Sequence, residues 1–483
     1  MEGDKVRPLG FVVQFLSTIS IASLTCLTGF IYAWPSYNVE NFRSNQTVLS
    51  HPMSTMEISL LGSLTNTGAL VVTPFCGYIV DALGRKYSVM LFGVPYVIVW
   101  LLIALTDNVP AILVVMALSG ISAAGQAMSS VYITEICQDS IRGAMSSTTA
   151  SGYFVGVLVS TIMGTYLTYK QVVYTHLSLS ILYIIMLTLL KESPVFLLKR
   201  GKDKDAAEAI AFYRQVEVTS KEVEMELSKI KLQLDPRIDE ILQGHDALEA
   251  VSGLINKENS DQAKFKTHSP WHFLRKSQSS RRALRVVLIS MTLTVMMGSI
   301  VPQVYAEPLF KEAVPSLSSS LCAIILALDF LVASILCGGL LDKFGRKSLT
   351  IWSSIFSGIT SCVLGSQLHF HWAPHWVTAF LIFFYGFVFT MGTSIVPFIL
   401  TAEVFLPEVR GLGMSISMAW MWISNFIAIL VFNPIVESLG LVPLYYGSSI
   451  VCFLTALYSH CCLPETKGLS VIEIQLKFLK KKG

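Results

Sequence analysis

Two groups of charged residues recur in this chain with the same internal spacing. Residues 77–86 read GYIVDALGRK and residues 338–347 read GGLLDKFGRK, so both follow the pattern GxxxDxxGRK. A second pattern, ExxxxxxRG, begins at Glu135 and again at Glu403. Carboxylates and guanidinium groups placed in this way can pair with each other or cap helix ends, and an exposed ion pair is worth only about 0–1 kcal/mol. Such pairs can break and re-form, which suits a gate between two states.

A third pattern closes each half of the chain: residues 191–194 read KESP and residues 464–468 read PETKG. Three different motifs in the same order predict one helical unit that is used twice. We therefore expect a charged cluster at the cytosolic ends of the helices, where members from the two halves meet. Its members are Asp81, Arg85, Glu135, Arg142 and Glu192 in the first half, and Asp342, Arg346, Glu403, Arg410 and Glu465 in the second. The alternative is that these charges serve only as topology and folding anchors.

The composition is that of a membrane protein. Of the 483 residues, 53% are hydrophobic and only 14% are charged, whereas about 25% of the residues of a soluble protein are charged. The charged residues are also confined largely to segments between apolar runs. The net charge of +3 therefore says little about binding partners.

Apolar runs long enough to cross a bilayer, which takes about 20 residues, recur along the chain. They lie near residues 10–33, 57–80, 87–106, 110–134, 144–167, 171–190, 284–305, 318–341, 347–368, 374–402, 411–432 and 440–462. We predict an all-α membrane protein with twelve transmembrane helices, in two six-helix bundles related by a parallel repeat. The predicted domains are a first bundle (1–190), a cytosolic helical linker (191–283), a second bundle (284–462) and a cytosolic tail (463–483). Within the linker, residues 203–215 and 220–234 have helical periodicity.

The basic residues predict the orientation of the helices. With both termini in the cytosol, only Arg43, Lys170 and Lys311 of the 35 Lys and Arg residues lie outside. This orientation places Asn45, which begins the glycosylation sequon Asn-Gln-Thr, in the first exterior loop at 34–56. We expect a multi-pass protein of the plasma membrane with a glycan on Asn45.

The sequence has no motif of an enzyme or of a cofactor site. It lacks a Walker A loop, a GxGxxG loop, zinc-ligand spacing and a nucleophile elbow. We therefore expect no enzymatic activity, no cofactor, no metal and no nucleic-acid partner. The expected partners are a small-molecule substrate and the lipid bilayer; a monomer would suffice, and the oligomeric state stays open.

Together the motifs resemble those of the sugar-porter branch of the major facilitator superfamily, over nearly the whole chain. Both GxxxDxxGRK motifs, YITEICQDSIRG, KESPVFLL, AEVFLPEVRG and PETKG follow the order of that family. Motif placement is similar to that of the insect facilitated trehalose/hexose transporters. The resemblance implies that cytosolic charges lock an outward-facing state and that two six-helix bundles rock about a central sugar site.

The family's sugar-binding residues are only partly present. Trp422 and Asn425 match the aromatic and amide of helix 11, Tyr305 matches a tyrosine of the outer gate, and Pro397 matches the helix 10 break. Residues 294–300, TVMMGSI, replace the helix 7 pattern QQxSGxN, and Ala150 replaces a helix 5 glutamine. Each sugar hydroxyl that loses a hydrogen bond costs roughly 1–3 kcal/mol. Possible replacement donors are Ser299, Gln303, Thr393 and Ser394, although a lone Ser or Thr in a helix often bonds a carbonyl one turn back.

Asp329 is the one acid well inside a predicted membrane helix. An intramembrane carboxylate rarely faces lipid, because it costs about 2.5–3.5 kcal/mol there. Asp329 could face the substrate pocket, or it could lie near the outer third of the helix and pack there.

Facilitative transport is the predicted activity. Proton-driven sugar porters have an aspartate in helix 1 and an arginine in helix 4, where this chain has Ile31 and Met116. We predict downhill transport of a sugar such as trehalose or a hexose. The alternatives are transport of another polyol or small organic solute, and a transporter-like sensor with little flux.

Overall fold

The computed structural model describes residues 6–234, 270–297, 319–406, 409–440, 442–469 and 471–480, and all regular structure in these ranges is helical. The first half contains α1 (Pro8–Arg43), α2 (Thr55–Leu83), α3 (Arg85–Leu105), α4 (Val109–Ala124), α5 (Gln126–Ile136), α6 (Arg142–Tyr166) and α7 (Tyr169–Thr188). Then come α8 (Pro194–Lys199), α9 (Asp203–Arg214), α10 (Lys221–Leu234) and α11 (Pro270–Lys276). The second half contains α12 (Gln278–Met296), α13 (Ser319–Phe344), α14 (Arg346–Phe370), α15 (His375–Thr390), α16 (Val396–Glu403), α17 (Arg410–Leu439), α18 (Val442–Cys462) and α19 (Val471–Lys480).

Local sequence signals fix several helix starts. Ser54 and Glu57 form a reciprocal capping box at α2, with Ser54 N donating to the Glu57 carboxylate at 2.8 Å. Asn108 accepts a hydrogen bond from Ala111 N at 3.2 Å at the start of α4. Thr168 and Gln171 form a second capping box at α7. Each cap satisfies backbone N–H groups that the helix itself leaves unpaired.

Seven candidate membrane spans, judged by length and apolar composition, occur in the described part of the chain. They are 8–35, 85–105, 109–136, 169–188, 321–341, 346–370 and 442–462. A shorter apolar helix covers 376–390. The seven spans and this shorter helix together coincide with eight of the twelve predicted helices.

The two halves pack their helices in the same order. In the first half α1 packs on α6, α2 on α4, and α3 on α7; in the second half α12 packs on α17, α13 on α15, and α14 on α18. The halves meet where α2 packs on α17 and α6 packs on α13. The repeat that the motifs predict is therefore also a repeat of tertiary packing.

Two of the predicted spans are interrupted, the second of them next to the break that Pro397 indicated, and a third helix is longer than expected. The predicted span 110–134 is interrupted at Gly125, and the span 374–402 is interrupted at 391–395, where Ser394 N reaches back to Phe389 O at 3.0 Å. Pro397 follows this break in the first turn of α16, where its missing N–H is not needed. The first helix continues to Arg43 rather than ending near residue 33.

An aromatic cluster explains the longer first helix. Trp34 lies 5.3 Å from Phe42 and 6.0 Å from Trp100, measured between ring centroids, and both tryptophans are fully buried. Burying such rings stabilises the helix that carries them. The segment between α1 and α2 is shorter than predicted as a result.

Of the helices between the halves, α8 packs on α5 and α9 on α1 in the first half, whereas α11 packs on α12. α8, α9 and α10 share a small hydrophobic core, with Ala206, Ile210, Val223 and Ile230 at its centre. α9 and α10 match the two predicted linker helices within one residue. Gln215, the C-cap residue that follows α9, has a φ of 52°. Residues 235–269 of the predicted linker lie outside the described residues. The division into domains stays a prediction.

Candidate functional site

A tight glycine turn precedes α3 and α14 at the end of the molecule that we call the charged end. Gly84 has φ of 95° and Gly345 has φ of 86°, a left-handed region that strains any residue with a side chain. Each turn makes an arginine, Arg85 or Arg346, the first residue of the following helix. The second glycine of GxxxDxxGRK is thus required by the backbone.

A carboxylate covers each of these turns. The Glu192 carboxylate accepts hydrogen bonds from the backbone N–H groups of Arg85 (2.8 Å) and Lys86 (3.0 Å). Glu465 does the same for Arg346 (2.9 Å) and Lys347 (3.1 Å). A negative charge at a helix N-terminus is favourable because it faces unpaired N–H groups and the positive end of the helix dipole. The sequence predicted these two acids as gate charges, and their contacts are those of helix caps.

Beneath each cap lies a buried, bidentate ion pair. Arg85 donates to Glu135 through Nε at 2.8 Å and Nη2 at 3.0 Å, and neither side chain is exposed. Arg346 donates to Glu403 through Nε at 3.2 Å and Nη2 at 2.7 Å. A bidentate pair is both stronger and more directional than a single contact.

A hydroxyl from the third motif completes each pair. Ser193 Oγ donates to Glu135, and Thr466 Oγ1 donates to Glu403 at 3.0 Å. Val80 O accepts a hydrogen bond from Arg85 Nη1 at 3.4 Å, and Leu341 O accepts one from Arg346 Nη1 at 3.3 Å. All three sequence motifs therefore converge on one repeated site, and its polar groups are satisfied as buried charges require.

One arginine joins the two halves. Arg410, the first residue of α17, places Nη1 3.6 Å from Glu135 Oε1, and both side chains are buried. Close backbone packing accompanies this contact: a Cβ on Gly77 would lie 2.9 Å from Gly411 O and 2.9 Å from Ser415 Oγ. The charged end is closed in this structure.

The counterpart of Arg410 has different partners. Arg142 is paired with Asp139, three residues earlier, and donates to Thr134 O at 3.1 Å. Within the described ranges no ion pair joins Arg142 to Glu403, the contact that exact two-fold symmetry would require. Asp139 also binds Lys229 of α10, so the linker helices hold this side of the site.

The motif aspartates are less tightly held. Asp81 Oδ1 lies 3.5 Å from Arg85 Nη1 and 3.9 Å from Lys199 Nζ. Its carboxylate also lies beside the start of α17: a Cβ on Gly411 would lie 3.4 Å from Asp81 Oδ2. The side chain of Asp342 is not among those described.

The expected substrate residues are partly placed. Trp422 and Asn425 are half-buried, three residues apart on α17 and hence on one face, and Trp422 packs on the main hydrophobic core. Pro397 is buried at the start of α16. Asp329 on α13 is half-buried, and its Oδ2 has no hydrogen-bond partner among the residues described. Ser299, Gln303 and Tyr305 lie outside the described residues.

One suggested replacement donor is engaged elsewhere. The Thr393 hydroxyl lies 2.7 Å from Ser353 Oγ and 3.2 Å from Ser354 Oγ, both on α14. Its carbonyl accepts from Thr294 Oγ1 at 3.2 Å. Thr393 therefore ties the helix break to its neighbours, and its hydroxyl has partners without a substrate.

Sequence reasoning missed the side chains where α6 meets α13. Ser334 Oγ donates to Ser151 Oγ at 3.0 Å, and the rings of Phe154 and Phe330 lie 5.4 Å apart, so both contacts join the two halves. These residues belong to no motif. The only sequence signal was the pair of serines within apolar runs.

Solved structures with this fold cover nearly the whole chain. The proton:xylose symporter XylE bound to 6-bromo-6-deoxy-D-glucose matches with a TM-score of 0.75 at 21% identity, covering 97% of this chain and 100% of that one. The inward open conformation of XylE from E. coli matches with a TM-score of 0.66 at 21% identity, covering 96% and 99%. The fold is that of the major facilitator superfamily: twelve membrane helices in two six-helix bundles, the architecture of a membrane transporter.

The family model described as "Sugar (and other) transporter" matches residues 10–478, so the chain belongs to this family. It is similar to the facilitated trehalose transporter Tret1 of Culex quinquefasciatus, at 25% identity over 96% of this chain and 85% of that protein. The Tret1 of Polypedilum vanderplanki is 24% identical over 98% and 89%. The resemblance that the motifs indicated is confirmed.

Proposed function

We propose that this protein carries a sugar, such as trehalose or a hexose, across the membrane down its concentration gradient by alternating access. The observation that carries the proposal is the two-fold geometry of the charged end. The same buried Arg–Glu pair lies under the same carboxylate-capped turn in each half, and Arg410 joins one half to the other. The relatives named as trehalose transporters support the choice of substrate.

The charged end acts as the cytosolic gate in this proposal. Opening it requires α2 to separate from α17, which breaks the contact between Arg410 and Glu135. The pairs within each half, Arg85 with Glu135 and Arg346 with Glu403, persist in both states and hold the helix ends rigid. Closing therefore depends on few contacts, and substrate binding can shift the equilibrium between states.

Topology follows from the same assignment. The GRK turn between α2 and α3 and the segment between α1 and α2 lie at opposite ends of α2. If the turn is cytosolic, Asn45 is outside, and its exposed position in a turn suits a glycan. Both termini are then cytosolic, the linker and tail lie on the cytosolic side, and the plasma membrane is the proposed location.

The contacts between α6 and α13 favour a second candidate, transport of a less polar polyol or organic solute. Phe154 and Phe330 form an aromatic contact between the halves near the position where Ala150 replaces a sugar-binding glutamine. Such rings stack on the apolar face of a solute but satisfy no hydroxyl. A sensor with little flux is the remaining alternative.

Uptake of radiolabelled solutes into oocytes tests the proposal. Trehalose, glucose, fructose and polyols would be compared at equal concentration, with surface expression measured for each sample. We expect saturable uptake of one sugar that stops when inside and outside concentrations are equal. Saturable binding without uptake of any solute would instead identify a sensor.

Trp422 is the side chain best suited to stack on a sugar ring. Trp422→Ala should lower uptake strongly, because it removes the large aromatic surface beside Asn425 against which a sugar ring would pack. Trp420→Ala is the matched control on the same helix, since Trp420 is more exposed and its indole donates to Thr292 at 2.8 Å. Equal effects of the two substitutions would refute the assignment.

A further inference from the structure

A small, partly open cavity lies at the charged end, beside the contact between Arg410 and Glu135. Its walls come from α5 and the following loop, from α9 and α10 of the linker, and from the starts of α17 and α19. Its volume is about 40 Å³. A water molecule needs about 10–15 Å³, so the cavity has room for a few waters or for one small ion.

Cations outnumber carboxylates on the walls of this cavity. The cations are Arg142, Arg214, Lys229 and Arg410. The carboxylates are Glu135, Asp139 and Glu226. With four positive and three negative groups, the lining carries one uncompensated positive charge.

All four cations have a carboxylate neighbour, and three of these pairs are closer than the 3.6 Å contact of Arg410 with Glu135. Arg142 and Lys229 both bind Asp139, and Arg214 binds Glu226 at 2.9 Å. Burial alone raises the pKa of Asp139, but the neighbouring Arg142 and Lys229 lower it more, so this pKa lies below its ordinary value and the group stays a carboxylate. These pairs leave Arg410 as the cation of the lining that is free to donate hydrogen bonds to a ligand.

Arg410 is buried and incompletely bonded. Its residue exposure is 5%, and its Nε has no hydrogen-bond partner among the residues described. The carboxylate nearest to it, Glu135 at 3.6 Å, is already held by Nε and Nη2 of Arg85. A buried guanidinium with an unpaired N–H is costly unless an acceptor fills the site.

We propose that this cavity binds a small free oxyanion of the inorganic phosphate class, held by Arg410 with Arg142 and Lys229. An oxyanion supplies several acceptor oxygens, which suits the fork of donors on a guanidinium group. It also supplies the missing negative charge. Most of the cavity's lining residues lie outside the candidate membrane spans, so a free ion fits the site better than a lipid headgroup.

The bound ion would hold the gate closed. Arg410 belongs to the second half, Arg142 to the first half and Lys229 to the linker helix that is bonded to the first half, so one ion bridges the contact that breaks when the gate opens. An anion that binds the closed state alone shifts the equilibrium toward it. This regulatory step rests on the proposed transport function, whereas binding itself does not.

The binding test uses the purified full-length protein in detergent without added lipid. Its unfolding midpoint would be measured against sodium phosphate, with sodium chloride keeping the ionic strength constant. We expect a rise in the midpoint that saturates. Lys229→Gln should raise the half-saturating phosphate concentration at least tenfold. Lys231→Gln is the control, since Lys231 lies on the same helix but pairs with Asp203 at the surface.

Several results would overturn the site. They are an equal rise with chloride, an unchanged half-saturation in Lys229→Gln, or the same rise produced by phosphatidylglycerol micelles without phosphate, which would identify a headgroup. If Lys229→Gln does not fold, Gln233→Leu serves instead, because it keeps every charge and removes only a buried amide of the lining. It should also weaken phosphate binding.

The regulatory test uses liposomes that contain the protein, with phosphate or chloride inside and outside. We expect phosphate to slow sugar uptake in the native chain and in Lys231→Gln but not in Lys229→Gln. Binding without any change in uptake would overturn the regulatory step. Absence of uptake under every condition would count against the transport function. The binding test would still decide whether phosphate binds, because it does not depend on transport.

Discussion

Arg410 and Arg142 occupy equivalent places in the two halves, yet only Arg410 reaches across. Arg410→Gln should open the charged end and lower uptake, because Glu135 then loses its contact with the second half. Arg142→Gln should have a smaller effect on the gate, since Arg142 bonds only Asp139 and Thr134 in its own half. Uptake normalised to surface expression, together with cysteine accessibility from the cytosolic side, measures both. Normal uptake in both variants would mean that the charges only set topology.

Gly77 provides an independent test of the closed gate. Gly77→Ala places a Cβ 2.9 Å from Gly411 O, a backbone atom that is unable to move aside without shifting α17. We expect a bias toward the open cytosolic end and a several-fold fall in uptake.

Gly339→Ala is the matched control for Gly77→Ala. A Cβ there meets nothing within 4 Å in the described part of the chain, so uptake and stability should change little. Similar losses in the two variants would show that the helix tolerates no alanine at either place, and the gate explanation of Gly77 would fail.

At this scale the sequence predicted which residues gather but not which of them bond. Motif spacing places Glu135 and Arg142 at either end of one loop, yet spacing carries no information on whether Arg142 turns to Glu403 or to Asp139. The caps by Glu192 and Glu465 depend on chain segments that are distant in sequence from the turns. Such contacts follow from tertiary packing, which a pattern along the chain does not encode.

Among the elements, the last helix braces the second half. α19 buries Val471, Ile474 and Phe478 and packs on α12. Gln475, which is fully buried, donates to Val404 O just after α16, and Arg282 of α12 donates to Phe478 O at 2.9 Å. The predicted tail is therefore part of the packed structure as far as residue 480.

Gln475→Ala should destabilise the protein by about 1–3 kcal/mol, because it leaves a buried carbonyl without its donor. The unfolding midpoint of the purified protein would measure the loss. Lys477→Ala on the same helix is the control, since the Lys477 amine is exposed where it bonds Glu465 O and water can replace it. An equal fall in both midpoints would contradict a specific role for the Gln475 hydrogen bond.

The helix breaks were harder to predict than the helices. Apolar periodicity extends across Gly125 and across 391–395, so hydropathy predicted one continuous span in each place, and only the family match of Pro397 indicated a break in the second. Length and hydropathy identify a span, whereas a break inside it depends on which carbonyls neighbouring helices satisfy. Thr393, held by Ser353 and Ser354, is one such partner.

For the whole molecule, the absence of a proton relay in the sequence predicts transport that is independent of a pH gradient. Ile31 and Met116 are buried and apolar at the places where proton-coupled relatives have an acid and an arginine. Uptake should therefore be unchanged by an imposed pH gradient or by a protonophore. Proteoliposomes with defined internal and external pH provide the measurement.

Asp329 is the acid that could contradict this prediction. Accumulation of sugar against its gradient, collapse of that accumulation with a protonophore, and its loss in Asp329→Asn would together identify Asp329 as a coupling site. Unchanged downhill uptake in Asp329→Asn would support facilitative transport. Surface expression must be matched, because a substitution within the bilayer can also alter folding.

The buried contact between Arg410 and Glu135 makes the resting conformation sensitive to temperature. Water binds charged groups less favourably as temperature rises, so the penalty for burying an ion pair falls on warming. The closed charged end should gain population in the heat and lose it in the cold, independently of the diffusion of the solute.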